Sequence, residues 1–363
     1  MDSFMEAPSF QMSRAFGAFC QLQFALTDAL RRAQGEALGA FGYNPSESSY
    51  DVIASAAYWR LRDYGGAGDA PSLLIVAAPI KRPYVWDISP SASAVRYCLE
   101  QGLHVYLLEW KPACLTTGNN GIEEHARAAL ECVAKISGEG KIAKPFLIGH
   151  SLGGTLAAMC CALRPESVRG LALISAPLCF EPGTSEFRDA LVSLVPSLLS
   201  NAESFPGSLL SYVSAMASPG AFIWSRLADA AASADDSTAR EMHRRVERWA
   251  LDEVAVPGKL FEQMIGWLYR ENRFCRGILS IGGTRVGPAS ISIPMLAIVN
   301  TADEVAPLTS VKFFAHAVPK KQAMIIEYPG ETGVSLQHLA VLIGREARHR
   351  IWPQIISWLH SHR

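Results

Sequence analysis

The residues best suited to chemistry in this 363-residue chain lie in PFLIGHSLGGTLAAMCCAL, where Ser151 stands at the centre of Gly149-His150-Ser151-Leu152-Gly153. An alcohol is a weak nucleophile at neutral pH. A catalytic serine therefore needs a base, a group that orients the base, and donors for the oxyanion that develops. The G-x-S-x-G pattern supplies a sharp turn between a strand and a helix, with small flanking residues that let neighbouring backbone approach. Here the apolar run PFLI precedes the turn and the helical pattern TLAAMCCAL follows it, which is the context the pattern requires. That context, more than the pattern, makes Ser151 the expected nucleophile rather than a structural turn serine.

The partners should follow in chain order, acid then histidine, each in a loop after a later strand. After the apolar run MLAIV comes NTADEVAP, which places Asp303 at a strand's C-terminal end, with Glu304 as the fallback acid and a helix N-terminal acid as the bland alternative. Of nine histidines, His104 lies in a strand pattern and His125, His243, His316 and His349 in helical ones, while His360 and His362 close the chain. His150 adjoins the nucleophile but is expected to point elsewhere on the turn. Only His338, in ETGVSLQH, is late, loop-borne and after the Asp303 strand, so it is the expected base. For the oxyanion the N–H of Leu152 is one donor. The second is expected from the loop AAPIKRP, where Pro79 has no N–H and Ile80 is the better candidate. Each such donor is worth about 3 kcal/mol in the transition state.

Positioning those loops requires an alternation of strands and helices, and the chain has one. SLLIVAAP, HVYLLEW, PFLIG and LALISAP read as short buried strands, separated by the helical patterns SASAVRYCLEQG, IEEHARAALECVAKI and the helix after Ser151. Strands joined by helices of that length specify parallel βαβ units. Residues 67–180 are expected to form the first part of an open α/β core, and 276–363, with IPMLAIVN and QAMIIEYPG, the second. Between them residues 181–275 lose the strand rhythm and read as an inserted helical lid. It carries Leu191, Leu194, Trp224, Trp249, Phe261, Trp267 and Tyr269, expected mostly as core, with breaks at Pro196, Pro206-Gly207, Pro219-Gly220 and Pro257-Gly258. Residues 1–66 read as a helical extension packed on the core through Phe16, Phe19, Leu22, Leu26 and Leu30.

Composition narrows the partners. With 33 basic and 34 acidic side chains, nothing draws the chain to nucleic acid or an anionic membrane. The eight cysteines form no CxxC pair and no Cys/His metal spacing, so free thiols in a reducing compartment are expected, and no metal. The N-terminus lacks a basic signal region and no apolar run reaches membrane-spanning length, which predicts a cytoplasmic protein without a membrane span. No nucleotide motif appears. No cofactor is expected beyond a substrate borne on CoA or a carrier.

These residues resemble a family, the short single-catalytic-domain class of polyhydroxyalkanoate synthases within the α/β-hydrolase superfamily. The likeness runs over about residues 70–363, through PIKRPYVWDISPSASAVRYCLEQGLHVYLLEW, RWALDEVAVPGKLFEQMIGWLYRENRFCRGILSIGGTRVGPASISIPMLAIVNTADEVAP and HLAVLIGREARHRIWPQIISWL. It implies an α/β-hydrolase fold, a mostly parallel sheet with helices on both faces and an inserted helical lid. It places Ser151, Asp303 and His338 at the triad positions and brings a homodimer or an accessory subunit into view. Two departures matter: the synthases carry cysteine where this chain has Ser151, and the loop before His338 is several residues longer than theirs. A serine ester is the usual intermediate of hydrolysis or of a single transfer.

The expected function is a serine-dependent acyl-transfer enzyme, of esterase or thioesterase type, that cleaves a small-molecule acyl ester or thioester through a covalent acyl-enzyme. Transfer of hydroxyacyl groups from CoA to an acceptor, as in the synthases, is the second reading. A catalytically silent ligand-binding protein on a hydrolase scaffold is the third.

Overall fold

The computed structural model describes residues 8–114, 116–138, 144–195, 203–319 and 322–363, with side chains from residue 22 onward. Eight strands make one sheet: β1 (Asp51–Ser55), β2 (Trp59–Asp63), β3 (Ser72–Val76), β4 (His104–Trp110), β5 (Phe146–His150), β6 (Gly170–Ile174), β7 (Met295–Asn300) and β8 (Ala323–Tyr328). Their spatial order is β1-β2-β4-β3-β5-β6-β7-β8. The β1–β2 and β2–β4 pairs are antiparallel, and every pair from β4 to β8 is parallel.

The central strands are apolar at nearly every position because both faces of the sheet are covered. Leu73, Ile75, Phe146, Ile148, Ala172, Ile174, Leu296 and Ile298 belong to one core; Leu74, Val76, Leu147, Leu171, Leu173, Met295, Ala297 and Val299 belong to the other. That division is the two-residue period of a pleated strand. N-terminal to the sheet lies α1 (Pro8–Leu38), and within the first half lie α2 (Ala94–Glu100), α3 (Ile122–Ser137) and α4 (Leu152–Leu163). Between β6 and β7 come α5 (Glu186–Leu194), α6 (Gly207–Ala217), α7 (Ser225–Ala232), α8 (Ser237–Leu251) and α9 (Gly258–Gln263), the helical insertion expected as a lid and named accordingly, and α10 (Leu308–Ala317) joins β7 to β8. Helices α3, α4 and α10 pack on one face of the sheet; α2 and the C-terminal helices ending at Trp352–Ser361 pack on the other.

The N-terminal 66 residues differ from the helical extension expected. Residues 51–63 extend the sheet as β1 and β2. In WRLRD, Trp59 and Leu61 are buried but so is Arg62, because Arg60 and Arg62 both donate to Glu109 of β4 (Arg60 Nη2 to Oε1, 2.9 Å). Charges paired inside the sheet blur the apolar alternation. The leucine stripe of α1 also faces outward, with Leu22, Leu26 and Leu30 59%, 57% and 66% exposed. Phe16 and Phe19 lie outside the described side chains, and Pro196 outside the described residues.

The inward face of α1 is polar instead. Asp28 accepts the N–H groups of Gly207 (3.1 Å) and Ser208 (2.7 Å), capping α6 where Pro206 offers no side-chain cap. Arg31 Nε donates to Glu253 Oε1 (2.9 Å), a buried carboxylate that also accepts from Lys81 Nζ (2.6 Å) and Ser211 Oγ (2.8 Å). In the lid, Leu191, Trp249, Phe261 and Tyr269 are buried as expected, whereas Trp224 and Leu194 are exposed. Among the described residues no helix is long and apolar enough to cross a membrane.

Candidate active site

The loops at the carboxyl ends of β3, β5, β7 and β8 converge beneath the lid, where an open parallel sheet places its ligand-facing residues. At the end of β5 the chain turns into α4 through Ser151, whose φ of 55° lies in the left-handed region that a residue with a side chain seldom adopts. Backbone strain of about 1–3 kcal/mol at such a residue persists only where its surroundings enforce it. Here Ser151 N–H donates to Ile174 O (3.1 Å), and the two glycines allow the crossing. A Cβ on Gly149 would lie 2.6 Å from Gly154 Cα, and one on Gly153 would lie 2.3 Å from Val76 O. The short residues of GHSLGG are thus dictated by helix and strands meeting backbone to backbone.

Asp303 and His338 meet as the sequence order requires. His338 Nδ1 is 2.7 Å from Asp303 Oδ2, and both residues are buried. Asp303 Oδ1 also accepts the N–H groups of Val305 (2.9 Å) and Ala306 (3.3 Å). Burial alone would raise the Asp303 carboxyl. The His338 ring and the two N–H donors outweigh it and hold the carboxyl below its ordinary value. An ionised carboxylate only accepts, so Nδ1 is the ring nitrogen that donates to it and Nε2 is the one left over. That Nε2 is buried and has no hydrogen-bond partner, Ser151 Oγ included. Glu304, the fallback acid, is turned away and accepts from Ser218 Oγ of the lid.

Ser151 and His338 line one cavity of about 570 Å³. Leu152 and Ile80, the expected oxyanion donors, line it too, and Leu152 opens α4, where the first N–H groups have no partner inside the helix. The loop after β3 is held by Trp110, whose Nε1–H donates to Ala77 O (2.7 Å). Ala78 in that loop also lines the cavity, and its N stands 2.8 Å from where a Gly153 Cβ would be. The missing N–H of Pro79 points to Ile80 as the donor, and Ala78 is the other N–H of the loop beside the turn. The lid supplies apolar wall, with Phe187, Phe222, Trp249 and Phe261, and α1 adds Phe24 and Arg31.

His150 does not point away from the site. Its Nε2–H donates to the backbone O of His338 (2.7 Å), and the two rings stand 4.6 Å apart. Burial first, and then the neighbouring His338, push its pKa down to about 3, so it stays neutral and serves to hold the His338 backbone. Strand alternation puts His150 on the same face of β5 as Phe146 and Ile148, toward the core that holds Leu339 and Val341 just after His338. Among the described residues no group of three or more His, Cys, Asp or Glu side chains could hold a metal.

Comparison with known proteins bears on the fold that carries these residues. Residues 87–331 match the model of the alpha/beta hydrolase fold family. Curated relatives include the poly(3-hydroxyalkanoate) polymerase subunit PhaC of Haloferax mediterranei, 29% identical over 80% of this chain and 58% of that protein. The subunit of the same name from Allochromatium vinosum is 24% identical over 88% of this chain and 89% of that one. The chain thus spans about three-fifths of the haloarchaeal relatives' length. Among solved structures, a monoacylglycerol lipase of Paleococcus ferrophilus superposes with a TM-score of 0.52 at 18% identity, covering 84% of this chain and 99% of that one. A carboxylesterase structure from Nitrososphaera gargenis gives 0.54 at 16% identity, covering 86% and 98%.

Proposed function

We propose a function from one premise: this chain belongs to the alpha/beta hydrolase fold family. It is a serine-dependent acyl-transfer enzyme that cleaves an ester or acyl thioester through a covalent acyl-enzyme. The observation that carries this reading is the pairing, in one cavity, of a serine on a strained turn with a histidine whose Nδ1 is bound to a buried carboxylate and whose Nε2 is unpartnered.

Ser151 Oγ attacks the acyl carbonyl carbon while His338 Nε2 takes its proton. Asp303 keeps the ring in the tautomer that can accept and stabilises the imidazolium that forms. The carbonyl electron pair moves onto oxygen, where the N–H groups of Leu152 and Ile80 receive it. The tetrahedral intermediate collapses and the C–O or C–S bond of the leaving group breaks. The departing alkoxide or thiolate takes the proton from His338. Water or a second nucleophile then attacks the Ser151 ester by the same steps in reverse. The apolar lid wall suits an acyl group, and the substrate is borne on an alcohol, CoA or a carrier thiol.

Ser151→Ala is expected to abolish turnover of acyl-CoA and p-nitrophenyl esters alike, measured as released thiol and p-nitrophenol. Retained activity on either would sink the assignment. A second reading, transfer of hydroxyacyl groups to an acceptor, is favoured by the likeness to the poly(3-hydroxyalkanoate) polymerase subunits. Product analysis with a 3-hydroxyacyl-CoA separates the two: free acid alone supports hydrolysis, and an oligoester or acylated acceptor supports transfer.

A further inference from the structure

The loop that carries His338 is held from two sides, and one side is the lid. On the core side Glu331 accepts the N–H groups of Glu346 (2.9 Å) and Ala347 (3.2 Å), and Asn300 Nδ2 donates to Gln337 O (2.7 Å). On the lid side the backbone of the loop is held by one carboxylate, beside apolar packing of Val334 and Leu339 against Met242, Val246 and Trp249. Asp229 of α7 accepts the N–H of Gly333 at Oδ1 (2.6 Å) and the N–H of Ser335 at Oδ2 (2.7 Å). Both loop residues have positive φ, 85° and 61°, and Ser335 is not a glycine. Backbone strain of that kind must be enforced by its surroundings, and the two hydrogen bonds to a charged acceptor do so.

Asp229 is itself well placed to act as a clamp. It is buried and sits one helical turn from Arg226, which lines the cavity and pairs with Glu247 (Nε to Oε1, 3.0 Å). Ser335 Oγ donates to the same Glu247 oxygen (3.4 Å). His243 of α8 stands 3.8 Å from both Asp229 Oδ2 and Glu247 Oε1 and completes the polar cluster around the clamp. The wall of the cavity and the loop bearing His338 are therefore tied through α7, with Asp229 as the knot.

We propose that Asp229 is a positioning residue that fixes the His338 loop to the lid, so that His338 Nε2 is set for proton transfer only while α7 is seated on the loop. The proposal rests on the reading of His338 as the base. In Asp229→Asn one oxygen becomes an NH2 group facing a backbone N–H, which breaks one of the two bonds at constant size. The expected result is a fall in kcat of about ten- to hundredfold, the usual effect of misplacing a reacting group by about 1 Å. KM should stay within about twofold, because Asp229 does not line the cavity. Amide hydrogen exchange across residues 330–338 should speed up, while the rest of the sheet keeps its protection. Asp229→Glu, which retains the charge, should recover part of kcat.

Unchanged exchange in the loop of Asp229→Asn would overturn the clamp, and so would faster exchange with an unchanged kcat. A loss of protection throughout the sheet would reduce Asp229 to a general stabilising residue and likewise overturn it. His338→Gln, run alongside, tests the other premise. Retained turnover there strikes the triad reading and leaves loop exchange in Asp229→Asn to judge the clamp alone.

Discussion

His150 stands against the proposed base, donating to its backbone with the two rings tilted at 4.6 Å between centroids, yet it takes no part in the proposed proton transfers. Its effect is on stability, and the sign follows from its pKa. The folded value lies near 3 and the unfolded value near the ordinary 6.5. As pH falls below 6.5 the unfolded chain takes up a proton that the folded chain refuses, so stability is lost progressively from about pH 6.5 down to about 3. Buried His125, lowered to about 4 chiefly by burial, works in the same direction. Each contributes a slope approaching about 1.4 kcal/mol per pH unit in the window. In His150→Gln the dependence of unfolding free energy on pH between 7 and 5, from urea midpoints, should fall toward half; an unchanged slope would mean that His150 is protonated in the fold. At this scale the meeting of Asp303 with His338 in the cavity that Ser151 lines was legible, from the G-x-S-x-G turn and from the order of the loops after the later strands. His150 was not: alternation with Ile148 gives the face it occupies, but not that a loop 188 residues away packs there.

At the scale of elements the meeting of α4 with β3 and β5 is set by absent side chains. A methyl on Gly153 would press on Val76 O at 2.3 Å and Ala77 C at 2.7 Å, backbone atoms that cannot turn aside. Gly153→Ala should therefore destabilise the fold by about 3 kcal/mol or more, beyond the ordinary range for overpacking. Gly68→Ala, where nothing lies within 4 Å of the new Cβ, should leave the midpoint nearly unchanged. Equal midpoints for the two variants in urea titration would refute the packing argument. The parallel strands were readable because each is a short apolar burst buried on both faces. The β1–β2 hairpin was misread because its arginines, half-exposed Arg60 and buried Arg62, are neutralised by Glu109, a partner 47 to 49 residues away. The same reason hid the docking of α1, whose inner face relies on Asp28 and Arg31 while its leucines face out. Apolar periodicity identifies a helix, but it assigns the buried face only when apolar contacts make the dock.

Across the whole molecule the cavity is assembled from residues as far apart in sequence as Phe24 and Leu339. Glu253 ties three of its contributors together, accepting from Arg31 of α1, Lys81 of the loop after β3 and Ser211 of α6. Burial lowers the Lys81 ammonium from its ordinary value, the Glu253 carboxylate opposing the shift. Such a wall has no counterpart in the unfolded chain, and occupancy and folding are then one equilibrium. Whatever fits the cavity stabilises the native state by about 2.7 kcal/mol at a hundred times its Kd. The identity of the acyl group can thus be sought with no assay of chemistry. A panel of slowly cleaved acyl analogues, ranked by the rise in Tm of Ser151→Ala, should order itself by fit to the apolar wall, and a flat ranking would argue that the cavity does not select the acyl group.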